Sequence, residues 1–386
     1  MKKIECIVVG GGMVGAAVAL GLAQQGKDVV LIEGQPPTEY ASSQPMDLRV
    51  SAISAKSVAL LQQLGAWDAL QEMRLCPYQR LEAWDNPACR TRFEAKELNR
   101  DWLGYIVENR LLQLALWQQF HHYDNLALEV PQRMRSINSQ PDYAEVTLDN
   151  GQCYQAKMVI AADGALSRVR QSVGIGVTSW DYRHHCMLIN IKSALPQQDI
   201  TWQQFTPQGP RAFLPLAEQH GSLVWYDSPS RIAQLSRLSD EQLTRAIQTT
   251  FPAELGEFSI EKHGHFPLTR RHAQQYHHHR VVLIGDAAHT INPLAGQGVN
   301  LGFKDVEALL TLSAKVDDFS SPGSLLQQYA QQRRPDNLMM QSAMDLFYKA
   351  FSNDLLPAKL LRNTGLLIAN HAGPLKRQAL RYAMGL

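Results

Sequence analysis

Residues 285–302 read Gly-Asp-Ala-Ala-His-Thr-Ile-Asn-Pro-Leu-Ala-Gly-Gln-Gly-Val-Asn-Leu-Gly. Asp286 follows the apolar run 281–284, at what would be the carboxyl end of a strand. Asp is a poor strand former, so it belongs to the turn, where its carboxylate can grip ligand hydroxyls. Gly296 and Gly298 would let backbone lie against a planar ligand. Pro293, Gln297, Val299 and Asn300 lead into a helix whose amino terminus would favour negative charge beside it. A second glycine cluster stands near the start of the chain. In Gly10-x-Gly12-x-x-Gly15, with Met13 and Val14 inside it, Gly10 makes a tight turn and Gly12 admits a pyrophosphate to the backbone. Gly15 lets helix and strand pack closely, and the helix start offers free N–H groups to phosphates. Glu33 lies where an acid would bond the ribose hydroxyls of an adenosine. This unit predicts dinucleotide binding but does not separate FAD from NAD.

These residues need a scaffold. Residues 4–9 are short, apolar and rich in β-branched side chains, as in a buried parallel strand. Residues 16–25 predict a helix closed by Gly26, and 28–33 a second strand. Runs 157–162 and 280–284 repeat the pattern of a strand entering a glycine-bearing turn. Three such junctions, far apart in sequence, suit one parallel sheet whose carboxyl ends share a ligand crevice. Residues 176–279 lack this alternation, and 186–191, 201–205, 212–216 and 222–226 suit antiparallel strands walling a substrate chamber. Phe213, Pro215 and Trp225 are candidate wall residues. The expected division is a discontinuous ligand-binding domain (1–75, 102–175 and 280–340), a substrate domain (76–101 and 176–279), and C-terminal helices (341–386).

A third motif makes the pattern specific. Ala162-Asp163-Gly164-Ala165-Leu166-Ser167-Arg168-Val169-Arg170 resembles the Asp-Gly motif of class A flavoprotein monooxygenases, the p-hydroxybenzoate hydroxylase superfamily. With the first glycine turn and residues 285–302, the three motifs stand in that family's order. The match narrows to the ubiquinone-biosynthesis hydroxylases. Arg49-Val50-Ser51-Ala52-Ile53-Ser54 is similar to their arginine-bearing segment, and Glu108-Asn109-Arg110, followed by Leu112 and Gln113, to their FAD-contacting helix. Further likeness lies in 201–207, 209–216, 223–229, 266–272 and 344–348.

The resemblance implies an α/β fold of the p-hydroxybenzoate hydroxylase kind, with a Rossmann-type FAD domain, an inserted antiparallel substrate domain and C-terminal helices. It implies FAD held by Gly10, Gly12, Met13, Val14, Gly15, Glu33, Arg49, Arg110, Asp163, Gly164, Gly285 and Asp286. Pro293, Gly296, Gln297, Gly298, Val299 and Asn300 complete that set, with Asp286 on the ribityl chain. Pro293, Gly296 and Arg49 would stand nearest the chemistry. NADH or NADPH would reduce the flavin transiently, which fits the lack of a second GxGxxG. O2 would then add at flavin C4a, and the hydroperoxide would hydroxylate the ring of a polyprenyl benzoquinol in ubiquinone biosynthesis. The flavin supplies the difficult chemistry and the protein supplies position, dryness and charge. Hydroxylation of another ring position, or a non-catalytic FAD-bound place in a ubiquinone-synthesis complex, are the alternatives. A halogenase would carry Trp-x-Trp-x-Ile-Pro, which the sequence lacks.

Bulk properties agree with a globular enzyme. The 386 residues are 45% hydrophobic and 19% charged, with net charge +1 and no nucleic-acid motif. Five scattered cysteines point to a reducing cytoplasm, not to a disulfide framework or zinc site. Met1-Lys2-Lys3 and the run after it imitate a signal peptide, but Glu5 and Gly10 interrupt it. His277, His278 and His279 alternate in direction along a strand and do not converge on a metal. Residues 355–386 carry Lys359, Arg362, Lys376, Arg377 and Arg381 with no acid, interleaved with leucines. Such a segment either packs on the FAD domain or touches the inner face of the cell membrane.

Overall fold

The computed structural model describes residues 1–291, 298–351 and 373–384. Its first sheet runs in the order His277–His278, Val281–Leu283, Cys153–Ala161, Lys2–Val9, Val29–Ile32, Leu126–Glu129. Lys2–Val9 is parallel to both Val29–Ile32 and Cys153–Ala161, with Cys6 opposite Val29 and Met158. Cys153–Ala161 is in turn parallel to Val281–Leu283. Ala144–Leu148 and Met134–Ser139 extend Cys153–Ala161 as antiparallel strands. Strand 29–32 is buried at every position, as expected of a parallel strand covered on both faces. The helix Met13–Gln24 is buried from Gly15 to Ala23, so it carries no amphipathic stripe. It lies so close to the helix Gly298–Ser313 that a Cβ on Gly21 would stand 2.3 Å from Leu310.

The second sheet runs His289–Thr290, Phe258–Ala273, Val177–Ser193, His220–Asp227, Arg211–Pro215, Ile200–Gln204, Arg80–Trp84, Thr91–Glu94. All its pairs are antiparallel except Ile200–Gln204 with Arg80–Trp84. The 17-residue strand Val177–Ser193 is longer than the run 186–191 that suggested it. Its first half is exposed and polar, so only the second half carries an apolar signal. Cys76–Tyr78 joins neither large sheet; it pairs with Gly104–Glu108, which also pairs with Val50–Ser54. This small sheet bridges the two large ones. His277 and His278 pair antiparallel with Val282 and Val281.

The helix Pro374–Ala383 packs through Leu380 and Met384, both buried among Met46, Ala52, Tyr78 and Leu103. That part of the C-terminal segment therefore packs on the body of the protein. Lys359, Arg362 and the leucines around them lie outside the described residues. Among the described residues, no helix is long and apolar enough to cross a membrane.

Candidate active site

One cavity of about 870 Å³ lies between the two large sheets. Three separated turns meet in its wall: Gly12, Met13 and Val14 after the first strand; Ala162, Gly164 and Ala165 after the third motif's strand; and Ile284, Gly285 and Asp286. Gly298 and Val299, at the start of the long helix, complete that side. The opposite wall comes from the antiparallel sheet, chiefly Cys186, Leu188, Leu214, Val224, Tyr226 and Phe266.

The first turn is set by backbone sterics. Gly10 adopts φ +100°, and a Cβ there would stand 2.5 Å from the carbonyl oxygen of Ala162. A Cβ on Gly15 would lie 1.8 Å from the Gly10 oxygen. Gly10 and Gly15 are thus contacts within the protein and do not line the cavity. Glu33 also stands outside the lining; Oε2 accepts the Gly11 N–H at 2.6 Å and Oε1 the Gln35 N–H at 2.9 Å. Gln113 and Trp117 donate to the Gly11 carbonyl at 2.7 and 2.8 Å, bracing the turn from the helix Asn109–Trp117.

The third turn hangs on a buried polar network. Asp305, fully buried, accepts from Gly285 N at 3.0 Å and meets His289 Nε2 at 2.5 Å through Oδ2. Its Oδ1 accepts from Arg333 Nε at 2.8 Å and Asn337 Nδ2 at 3.1 Å. Burial alone would raise its pKa, but His289 and Arg333 outweigh that and hold it lowered. Sequence reasoning missed this network. Its one signal was an Asp at helical spacing from the apolar residues Leu301, Leu309 and Leu312.

Asp286 is exposed where it opens onto the cavity, with protein atoms packed around that opening. That crowding raises its pKa, against the pull of His289, Arg49 and Arg271. Arg49 lines the cavity with its guanidinium carbon 4.3 Å from the centre of the Phe266 ring. Asp163 supports the middle turn, one oxygen accepting the Val169 N–H at 3.1 Å.

Several expected site residues do other work. Arg110 is ion-paired with Asp47 at 2.9 Å and donates to the Thr38 carbonyl at 2.7 Å; it clamps the 34–49 loop outside the cavity lining. Asn300 is buried, accepting from Ser54 N at 3.0 Å and Ser57 Oγ at 2.7 Å and donating to Ala52 O at 2.8 Å. It brackets the long helix to the small sheet and does not line the cavity. Phe213, Pro215 and Trp225 are corrected too. They point to the far face of the antiparallel sheet, where Phe213 and Trp225 join a core with Trp202 and Phe251. Their neighbours Ala212, Leu214, Val224 and Tyr226 form the wall, because side chains alternate faces along a strand. Pro293, Gly296 and Gln297 lie outside the described residues.

The site fits FAD on its own features. A Cβ on Gly12, Gly164 or Gly298 would meet nothing within 4 Å, so backbone is open to a ligand at three points. Gly12 caps its helix without a side chain, leaving amino-terminal N–H groups for phosphate. Asp163 Oδ1 and Thr290 Oγ1 are buried without hydrogen-bond partners among the described residues, as suits acceptors awaiting ligand hydroxyls or water.

Comparison with known proteins agrees with this geometry. The FAD binding domain family matches residues 3–342. The chain is 50% identical to the 3-demethoxyubiquinol 3-hydroxylase of Escherichia coli, covering 100% of this chain and 99% of that protein. It is 34% identical to the ubiquinone hydroxylase UbiL of Rhodospirillum rubrum, over 100% of this chain and 90% of the relative. Among solved structures, p-nitrophenol 4-monooxygenase PnpA of Pseudomonas putida superposes with a TM-score of 0.80 at 20% identity. That likeness covers 100% of this chain and 97% of the other, and concerns the fold alone.

Proposed function

The chain belongs to the FAD-dependent ring hydroxylases of ubiquinone biosynthesis, and we propose that its substrate is a polyprenyl demethoxyquinol hydroxylated at ring carbon 3. The observation that carries this reading is the meeting of three glycine-bearing turns in one largely apolar cavity, faced by an antiparallel sheet. The choice of ring carbon follows the name of the Escherichia coli relative, whose likeness extends along the whole chain. The division into an FAD-binding domain (1–75, 102–175 and 280–340), a substrate domain (76–101 and 176–279) and C-terminal helices (341–386) is part of the proposal.

In this reading Gly12, Met13 and Val14 present N–H groups to the pyrophosphate. Glu33 holds the turn and stands ready for adenosine hydroxyls. Asp163, Gly164, Gly285 and Asp286 hold the middle of the cofactor. Gly298 and Val299 face its ring system. Arg49 brings positive charge to the cavity. Ala212, Leu214, Val224, Tyr226 and Phe266 exclude water and orient the quinol ring.

FAD, when bound, supplies two-electron storage and the activation of O2. The overall reaction consumes one quinol, one NADH or NADPH, one O2 and one proton, and yields the hydroxylated quinol, oxidised nicotinamide and water. Partnership with other ubiquinone-synthesis proteins, and peripheral contact with the inner face of the cytoplasmic membrane, belong to the same proposal, because the substrate is a lipid.

The test is to delete the gene in a quinone-making host and weigh the lipid that accumulates. Demethoxyquinone, lighter than the mature quinone by one methoxy group, is the expected product. A lipid lacking a different ring oxygen would overturn the carbon-3 assignment, and unchanged quinone would overturn the whole reading.

A further inference from the structure

The cavity does not end at the quinol ring's walls. Nine side chains of one apolar cluster also line it: Val50, Ala52, Tyr78, Leu81, Phe93, Leu103, Leu214, Leu380 and Met384. This core is therefore hollow. Protein interiors close-pack, and an apolar void forfeits dispersion contacts along its whole lining. A chain that leaves such a void open has a use for it.

We infer that this apolar end seats the ring-proximal part of an isoprenoid tail, and that the helix Pro374–Ala383 forms part of the seat. The inference rests on the substrate class proposed above. The walls come from the small sheet, the last two strands of the antiparallel sheet, Arg80–Trp84 and Thr91–Glu94, and the C-terminal helix, not from the glycine-bearing turns. Leu380 and Met384 close the space, at 5% and 3% exposure. The helix is fixed in place at both ends. Lys376 Nζ meets Glu97 Oε1 at 2.8 Å and stands 5.4 Å from the centre of the Phe93 ring. The Met384 carbonyl accepts the Lys56 N–H at 3.4 Å. The charged group in this stretch of wall, Glu82, is already satisfied, with Arg90 at 3.3 Å and Arg92 at 2.5 Å. The surface left to a ligand is hydrocarbon apart from the Tyr78 hydroxyl, and the occupant covalently tied to the ring beside it is the isoprenoid chain.

The experiment compares two quinols on the FAD-loaded enzyme: one with a tail of several isoprene units, and one with a methyl group in its place. The tailed quinol should have the higher kcat/KM by about tenfold or more, since each buried methylene contributes measurably to discrimination. Leu380→Trp or Leu103→Trp, filling the void, should bring that ratio towards one. Farnesol should bind the wild-type holoenzyme by calorimetry and compete with the tailed quinol. A ratio near one in the wild type, or a ratio unchanged in both variants while they keep flavin and melting temperature, would overturn the seat. If neither variant folds, absence of farnesol binding to the wild type overturns it instead. Hydroxylation of neither quinol would strike the proposed function, while farnesol binding would still decide the seat.

Discussion

The two walls of the cavity are built by opposite means. The cofactor wall is mostly backbone: glycines at turns, an uncapped helix start, and carboxylates that hold N–H groups in place. The quinol wall is mostly side chains: Leu188, Leu214, Val224, Tyr226 and Phe266 standing on a sheet. A backbone surface demands particular residues, since one added methyl can destroy it. A side-chain surface demands only bulk and polarity, and many residues supply those. The cofactor wall should therefore fail sharply under small substitutions, and the quinol wall should drift.

The sharpest break is Gly15→Ala. Its Cβ would overlap the Gly10 oxygen at 1.8 Å, backbone against backbone, with no flexible side chain to yield. Loss of bound flavin, or of folded protein, is expected. Purification of a fully yellow Gly15→Ala enzyme would refute the claim that this wall is backbone-limited.

Next comes Asp305→Asn, which leaves buried His289 facing a neutral partner and buried Arg333 with Asp336 as its remaining carboxylate. Breaking a buried ion pair from one side costs about 3–5 kcal/mol. Chemical denaturation should show a loss of that order. The pH dependence has a definite sign. The folded protein holds the Asp305 pKa below its ordinary value, so the associated stability is present above the unfolded pKa and disappears as pH falls towards the folded one. Asp305→Asn should therefore be less stable at neutral pH and lose less on acidification. Parallel acid-unfolding curves for the two proteins would count against this role.

On the quinol wall, neighbouring positions should behave differently. Phe213 faces the core, stacked 5.8 Å from Trp202, and Phe213→Ala should cost about 3 kcal/mol of stability through the void it leaves. Leu214 faces the cavity, so Leu214→Ala should cost less stability and raise KM for the quinol. Equal melting temperatures with equal KM values would remove the distinction between the two faces.

That same alternation explains what could be read before the structure. The strand 212–216 was legible, but which of its faces met the ligand was not. Alternation gives two faces, both apolar here, and only packing against the helices Pro229–Leu235 and Asp240–Thr250 decides which is core. Asn300 and Arg110 misled for a related reason. Each polar residue stands beside a motif, yet each satisfies backbone or side-chain groups from a distant segment. Such pairings, 246 and 63 residues apart in sequence, leave no local mark. The glycine turns were legible because their constraint is local: a φ of +100° or a contact at van der Waals limit shows as glycine wherever it occurs.

The mildest expected effect tests the cofactor wall most selectively. Asp286 accepts no hydrogen bond from any described residue, and its crowded setting raises its pKa. A carboxylate whose folded pKa is raised detracts from stability at neutral pH, because the charged form is better solvated in the unfolded chain. A ligand hydroxyl would compensate; in the free protein His289, Arg49 and Arg271 do so only in part. Asp286→Ala should accordingly leave the flavin-free protein as stable as the wild type, or slightly more so. It should also weaken FAD binding by about 1–2 kcal/mol, roughly tenfold in Kd, through one lost charge-assisted hydrogen bond. Melting curves with and without added FAD separate the two effects. A variant that loses stability without the cofactor would assign Asp286 to the scaffold beside Asp305, whereas a drop confined to the FAD-loaded protein marks a residue kept for its ligand.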